Sequence, residues 1–282
     1  MEDGRESTPA EVGPAADVPP GTEPAPGAAL TPPARRAEDG PYRLRWATDL
    51  PIVAGTAGLW STLVLLRSDQ VRKSCPCSSA SLPAFERIAL GRDEGAGAVS
   101  DVLVGVAIAA PVLLDALDVA NSRGAWTGYW EDVVVVAEAV LASGAINEVV
   151  KSAASRPRPR VHDQPKGDSG LEDPDNYTSF YSAHTSNAFA AGMAYAFTYA
   201  HRHPGDPWRW AVYGGALAVG GGVGAMRVAA GAHFPSDVIV GAVAGAAIGT
   251  VVPWLHLRSP TTNLAVAPAD GGAVVGVSGT LP

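Results

Sequence analysis

The sequence predicts an all-α protein: a six-helix transmembrane bundle flanked by irregular tails. The 282-residue chain is 47% hydrophobic and only 17% charged, with a mean hydropathy of +0.11, so it is poor in the charges that cover a soluble surface. Between the tails lie six apolar stretches of helical length, at about 47–66, 98–117, 130–150, 183–200, 208–226 and 235–257. About 20 apolar residues suffice to cross a bilayer. The last stretch holds an uncharged run from Val238 to Leu255, and that length favours a membrane bundle over its rival, a soluble bundle with buried apolar helices.

Taken in order, residues 1–40 are dominated by Pro, Ala, Gly, Glu and Thr and are expected to be a disordered tail, because they hold too little apolar surface to offset the entropy of ordering. The tail lacks a charged start followed by an apolar run, so no cleavable signal peptide is expected. The membrane domain spans 41–258. Arg35, Arg36, Arg43 and Arg45 precede the first stretch, whereas Arg67, Arg72, Lys73, Arg87 and Arg92 follow it, so the positive-inside tendency alone does not orient the bundle. The loop from about 67 to 95 contains Cys75 and Cys77, separated by one proline. That spacing strains an internal disulfide and supplies too few ligands for zinc, so the pair carries no functional reading. Asp101 and Asp115 edge the second stretch, and Asp132, Glu138 and Glu148 lie in the third; such acids normally face a bundle interior or an aqueous cavity. Residues 259–282 are expected to be a second irregular tail. The formal net charge of −8 argues against a nucleic-acid partner, which demands a basic face.

With alternating spans, the ends of helices three and five and the starts of helices four and six share one side, and the unusual polar residues lie there. In "KSAASRPRPR", Lys151 ends the third helix, and Pro157 and Pro159 hold Arg158 on extended chain between Arg156 and Arg160. Alone this reads equally well as a lipid-headgroup cluster, but rigid spacing suits recognition of a defined anion. In "YSAHTSNAF", Ser182 is placed to cap the fourth helix, leaving the amides of Ala183 and His184 at the positive end of its dipole. Alone, this is an ordinary cap and an interfacial histidine. In "RVAAGAHFPSD", Pro235 opens the sixth helix, so His233 precedes it and Asp237 sits four residues on, within reach of the imidazole. The bland alternative is a His–Asp pair with a snorkelling Arg227. Together these stretches supply three cations, a capped helix start, two histidines and a carboxylate, an inventory suited to phosphoryl transfer. No carboxylate cluster for Mg²⁺ is expected near the cations, so the chemistry is expected to need no metal or other cofactor.

The pattern Lys-x6-Arg-Pro (Lys151, Arg158, Pro159), Ser-x-His (Ser182, His184) and Arg-x5-His-x3-Asp (Arg227, His233, Asp237) resembles the three-part signature of the type 2 phosphatidic acid phosphatase superfamily, which includes vanadium haloperoxidases. The resemblance covers roughly 95–257, with motifs at 151–159, 181–184 and 226–237. It implies that His233 attacks phosphorus to form a phosphohistidine, that Asp237 orients it, and that His184 protonates the leaving group. Lys151, Arg158, Ser182, Ala183 and Arg227 would then hold the phosphoryl oxygens. It also implies six spans, an extracytoplasmic site in the cell membrane and a cytoplasmic N-terminus. Three positions depart from the pattern: Tyr181 stands where the family usually has proline, Ala183 where it usually has glycine, and Met226 where it usually has serine. The expected substrate is a lipid phosphate or pyrophosphate drawn from the surrounding membrane lipids. The alternatives are a vanadium-dependent haloperoxidase and a non-catalytic membrane protein that binds anionic lipid.

Overall fold

The computed structural model describes residues 40–122, 126–258, 263–269 and 272–278. The expected disordered tail, residues 1–40, lies outside the described residues except for Gly40. Six long helices follow in order: α1 (Trp46–Gln70), α2 (Glu94–Ser122), α3 (Trp126–Ala154), α4 (Ala183–Arg202), α5 (Trp208–Ala229) and α6 (Pro235–His256). Each falls on a predicted apolar stretch.

Four of them, α1, α2, α3 and α6, are long and apolar enough to cross a membrane. The expectation of six such helices is thus met by composition in four. α4 fails because its Thr, Ser, Asn and Tyr side chains lower its hydropathy, and these are tolerable because α4 is the packed centre of the bundle, with Thr185, Ser186, Asn187 and Thr198 buried among neighbours. α5 is diluted by its glycines and by Arg227.

The predicted irregular tail at 259–282 also needs correcting. Asn263–Ala269 (β1) and Gly272–Ser278 (β2) pair as an antiparallel hairpin, with Asn263 opposite Ser278 and Ala269 opposite Gly272. Leu264 and Val266 alternate with small residues before an Asp-Gly step, and Val274, Val275 and Val277 follow it, a strand-and-turn pattern that a reading by bulk composition passes over.

α6 approaches α4 along a row of glycines four residues apart. A Cβ on Gly241 would lie 2.8 Å from the Ser182 carbonyl oxygen, and Cβ atoms on Gly245 and Gly249 would collide with the carbonyl oxygens of Ser186 and Ala190. Small residues at this spacing let helix backbones meet where apolar solvent supplies no hydrophobic drive. The close approach locks the start of α6 beside the start of α4.

The costly acids find partners inside the bundle, as their positions in apolar helices required. Arg202 binds Asp132 and lies 3.6 Å from Asp115, Arg67 lies 3.0 Å from Glu148, and His256 lies 3.1 Å from Glu138. Asp101 differs, with its side chain 63% exposed at the mouth of the bundle. At the opposite end Trp46, Trp126, Trp130, Trp208, Trp210 and Trp254 are all exposed, the arrangement expected of an aromatic belt at a membrane–water interface.

Candidate active site

The end of α3 begins the site. Lys151 is buried in the last helical turn with Nζ 3.5 Å from Glu148 Oε1. Ser155 then takes a left-handed φ of 44° and ends the helix, and the prolines hold the next residues extended. This strand of chain is bonded to residues 175–179: the Arg158 amide donates to the Asn176 carbonyl (2.8 Å) and the Ser179 amide to the Arg156 carbonyl (3.0 Å). Arg158 is 5% exposed. Its Nε donates to the Asp175 carbonyl (2.9 Å), and Nη2 donates to Thr178 Oγ1 (3.2 Å) and pairs with Asp175 Oδ2 (2.9 Å).

Ser182 caps α4, its Oγ accepting from the Thr185 amide at 3.4 Å and from Thr185 Oγ1 at 2.9 Å. As first-turn residues, Ala183 and His184 have amides without an intrahelical acceptor. The Ser182 amide donates to the Asp237 carbonyl at 3.1 Å, tying the second motif to the third.

In the third motif, Arg227 and His184 meet on one carboxylate. His184 Nε2 is 2.9 Å from Asp101 Oδ1, and Arg227 Nη1 donates to the same oxygen at 3.2 Å and to Ser100 Oγ at 3.2 Å. Arg227 Nε is buried with no partner among the described residues. His233 is 1% exposed. Its Nδ1 lies 2.7 Å from the Ser179 carbonyl, an acceptor only, which assigns the proton to Nδ1 and leaves the lone pair on Nε2.

Asp237 does not do what its spacing promised. Its Oδ2 is 3.9 Å from His233 Nδ1, too long for a hydrogen bond. It accepts instead from Ser179 Oγ (2.6 Å), the Phe234 amide (2.9 Å) and Arg156 Nη1 (2.5 Å). An i,i+4 spacing brings two side chains together only when both residues are helical; His233 lies before the helix, so its ring turns to the neighbouring loop. Asp237 therefore fixes Ser179, whose carbonyl holds the ring.

His233 titrates well below the ordinary histidine range, because burial disfavours the imidazolium and Arg158, Arg227 and Lys151 repel it, against a smaller opposing effect of the Ser179 bond. The three predicted cations thus act on one imidazole. Burial raises the Asp175 carboxyl, yet Arg158, Lys151, Arg67 and Arg160 outweigh it and hold the group below the usual carboxylate range.

Single carboxylates do stand beside the cations. Asp101, Glu148 and Asp175 each pair with one or more of them, because buried guanidinium and ammonium groups need counter-charges. Asp175 and Ser179 sit in a loop with no motif spacing, so nothing in the sequence marked them. Asp101 and Glu148 were visible only as costly acids in apolar stretches.

Cys75 and Cys77 also differ from expectation: they form an internal disulfide. It lies beside the site, where the Cys77 carbonyl accepts from the Asp163 amide at 2.9 Å.

The family model of the PAP2 superfamily matches residues 132–260. This region is similar to that superfamily. The match includes all three motifs, and so every PAP2-type residue predicted for the site, but not α2 with Asp101. No curated protein and no solved structure matches the chain significantly. Similarity to the PAP2 superfamily supports a phosphoester hydrolase at the coarse level, and the four apolar helices support a membrane protein.

Proposed function

We propose that the protein is an integral-membrane phosphatase that hydrolyses a lipid phosphate or pyrophosphate through a phosphohistidine, without a catalytic metal. The observation that carries this reading is the state of His233: a neutral, buried imidazole tied at Nδ1 to Ser179, with three cations acting on it. Such a group is a poised nucleophile beside an anion site.

In this reading Lys151, Arg158, Arg227 and the start of α4, with Ser182 and Ala183, hold the equatorial phosphoryl oxygens. Ala183 keeps its backbone amide, so the departure from glycine preserves that contact. His233 Nε2 attacks phosphorus, the bond to the leaving oxygen breaks, and His184 Nε2 gives that oxygen its proton. His184 then takes a proton from water, the hydroxide attacks phosphorus, the P–N bond breaks, and inorganic phosphate leaves with His233 restored. Asp101, which pairs with both His184 and Arg227, must share or yield them when the phosphate arrives.

A lipid substrate is favoured by an apolar cavity of about 340 Å³ between α2, α4 and α5, lined by Val106, Ala107, Ala188, Gly192 and Val219. Ala188 lies one turn from His184 and Val219 two turns from Arg227, so a tail in the cavity leads its headgroup to the cations. The Cys75–Cys77 disulfide shares this end, and disulfides persist in oxidising compartments. We therefore take all six helices as spans, with the site extracytoplasmic and the tryptophan-rich end and N-terminus cytoplasmic.

The decisive experiment is a phosphate-release screen of detergent-purified protein on phosphatidate, phosphatidylglycerophosphate and undecaprenyl pyrophosphate. Turnover of at least one substrate, abolished in His233→Ala, is expected. Turnover that survives His233→Ala overturns the nucleophile; lipid binding with no release from any of them favours the non-catalytic alternative.

A further inference from the structure

The end of the bundle opposite the phosphate cradle holds a second polar cluster that the hydrolase reading does not use. Asp49, in the first turn of α1, Glu138, on α3, and His256, the last residue of α6, each offer one ligand atom, and these atoms all lie within 4.8 Å of one another. Glu138 is thirteen residues before Lys151, roughly 20 Å along α3. The cluster is therefore separate from the site that carries His233.

Its details are those of a metal site. His256 Nε2 is 3.1 Å from Glu138 Oε2, close to the roughly 3.3 Å between ligands that lie about 2.0–2.1 Å from a tetrahedral ion. His256 Nδ1 is 2.9 Å from the Val252 carbonyl. That bond fixes the ring and presents Nε2, as the outer hydrogen bond of a metal-bound histidine does. Asp49 is steadied in the same way, accepting from the Arg45 amide at 2.6 Å and from Thr48 Oγ1 at 3.1 Å.

Glu138 supplies the independent observation. Its side chain is 7% exposed, and Oε1 is buried with no hydrogen-bond partner among the described residues. A bare carboxylate oxygen in a bundle interior is costly. Neither Glu138 nor Asp49 is paired with Lys or Arg among the described residues. A protonated His256 balances one of the two negative charges, whereas a divalent cation with a neutral imidazole balances both.

We propose that Asp49, Glu138 and His256 bind one divalent transition-metal ion that ties the start of α1 to α3 and α6. Two carboxylates and an imidazole suit zinc, manganese or ferrous iron better than magnesium or calcium, which prefer oxygen alone. The His256 side chain is 17% exposed, which gives the ion an entry route. α1 needs the tie, for it packs few of its own residues into the core: Asp49 is the one buried along its length.

The test is titration of the chelator-stripped, full-length protein in detergent with Zn²⁺, read by calorimetry and by thermal unfolding. One Zn²⁺ per chain is expected, with a midpoint raised by roughly 5–10 °C at a hundredfold excess over Kd. His256→Ala and Glu138→Gln should each lose the binding and the shift. The His184→Ala/His233→Ala double variant should keep both, so failure here is separable from failure of the phosphatase reading. Circular dichroism and size exclusion show whether a variant is folded, and His256→Gln replaces His256→Ala if it is not. Absence of stoichiometric Zn²⁺ binding in the native chain, binding that survives in folded His256 and Glu138 variants, or binding lost with the catalytic histidines overturns the proposal.

Discussion

Substituting Asn for Asp237 separates two ways of holding His233, the proposed nucleophile. If Asp237 gripped His233 directly, the exchange would favour the wrong tautomer and cost on the order of 10⁴-fold in kcat, the loss seen when a directly bonded carboxylate is neutralised in a catalytic triad. Here the partner of Nδ1 is the Ser179 carbonyl at 2.7 Å, which no side-chain exchange removes. Asp237 acts on that carbonyl through Ser179 Oγ at 2.6 Å and on the start of α6 through the Phe234 amide at 2.9 Å. An asparagine that keeps its oxygen toward those two donors must point its amide at Arg156 Nη1, donor against donor. The lost pair is fully buried on the Asp237 side, while Arg156 is 27% exposed and keeps Glu86 at 3.3 Å. Stability should therefore fall by about 2–3 kcal/mol, less than the roughly 3–5 kcal/mol of a pair buried on both sides. Relaxation of the Ser179 loop by a fraction of an ångström should lower kcat by about 10²-fold, or ~2.7 kcal/mol of barrier. The assay is phosphate release alongside thermal unfolding in the same detergent. A 10⁴-fold loss with unchanged stability refutes the indirect role and puts Asp237 on the ring during catalysis.

Other consequences follow from the same geometry. Because His233 is held below the ordinary histidine range, the acid limb of kcat/KM that belongs to the free nucleophile should lie below pH 6.5, the unperturbed value; a limb at or above it contradicts the arrangement. The sign for stability is opposite to that of a salt-bridged histidine: the unfolded chain takes up the proton first, so His233 should weaken the fold as pH falls through about 6.5, a trend absent in His233→Gln. Asp101→Asn should tighten inhibition by vanadate about five-fold, corresponding to ~1 kcal/mol for an exposed competing pair, and unchanged inhibition would show that Asp101 does not compete with the anion. Gly245→Ala, whose Cβ meets the Ser186 carbonyl, should destabilise by about 1–3 kcal/mol, measured as a lower unfolding midpoint. Phosphate release should persist in EDTA at 25 °C, since the proposed metal ion lies at the other end of the bundle; its loss there, with the protein still folded, contradicts a metal-independent mechanism.

Helix positions were legible because an apolar period written over 20 residues needs no tertiary knowledge to read. The polar motifs were legible for a related reason: Lys151, Arg158, His184, Arg227 and His233 are expensive in apolar surroundings, and their alternation between helix ends and helix starts puts them on one side of any up-and-down bundle. Spacing failed where a contact depends on the angle between chain segments. Four residues separate His233 from Asp237, yet one precedes α6 and the other lies inside it, so the ring turns to Ser179, fifty-four positions away in the chain.

Sequence alone therefore determined the helical bundle, the location of its helices, the side of the bundle that bears the cations and the likeness to the PAP2 superfamily. Tertiary structure alone decided which counter-charges stand beside those cations, that a backbone carbonyl holds the His233 ring, that Cys75 and Cys77 are bonded, and that Asp49, Glu138 and His256 converge. The reason is physical. Hydrophobic periodicity and the cost of burying charge act locally along the chain, whereas the choice of a hydrogen-bond partner depends on which distant backbone packs within about 3 Å, and close packing of glycines between α4 and α6 sets that distance.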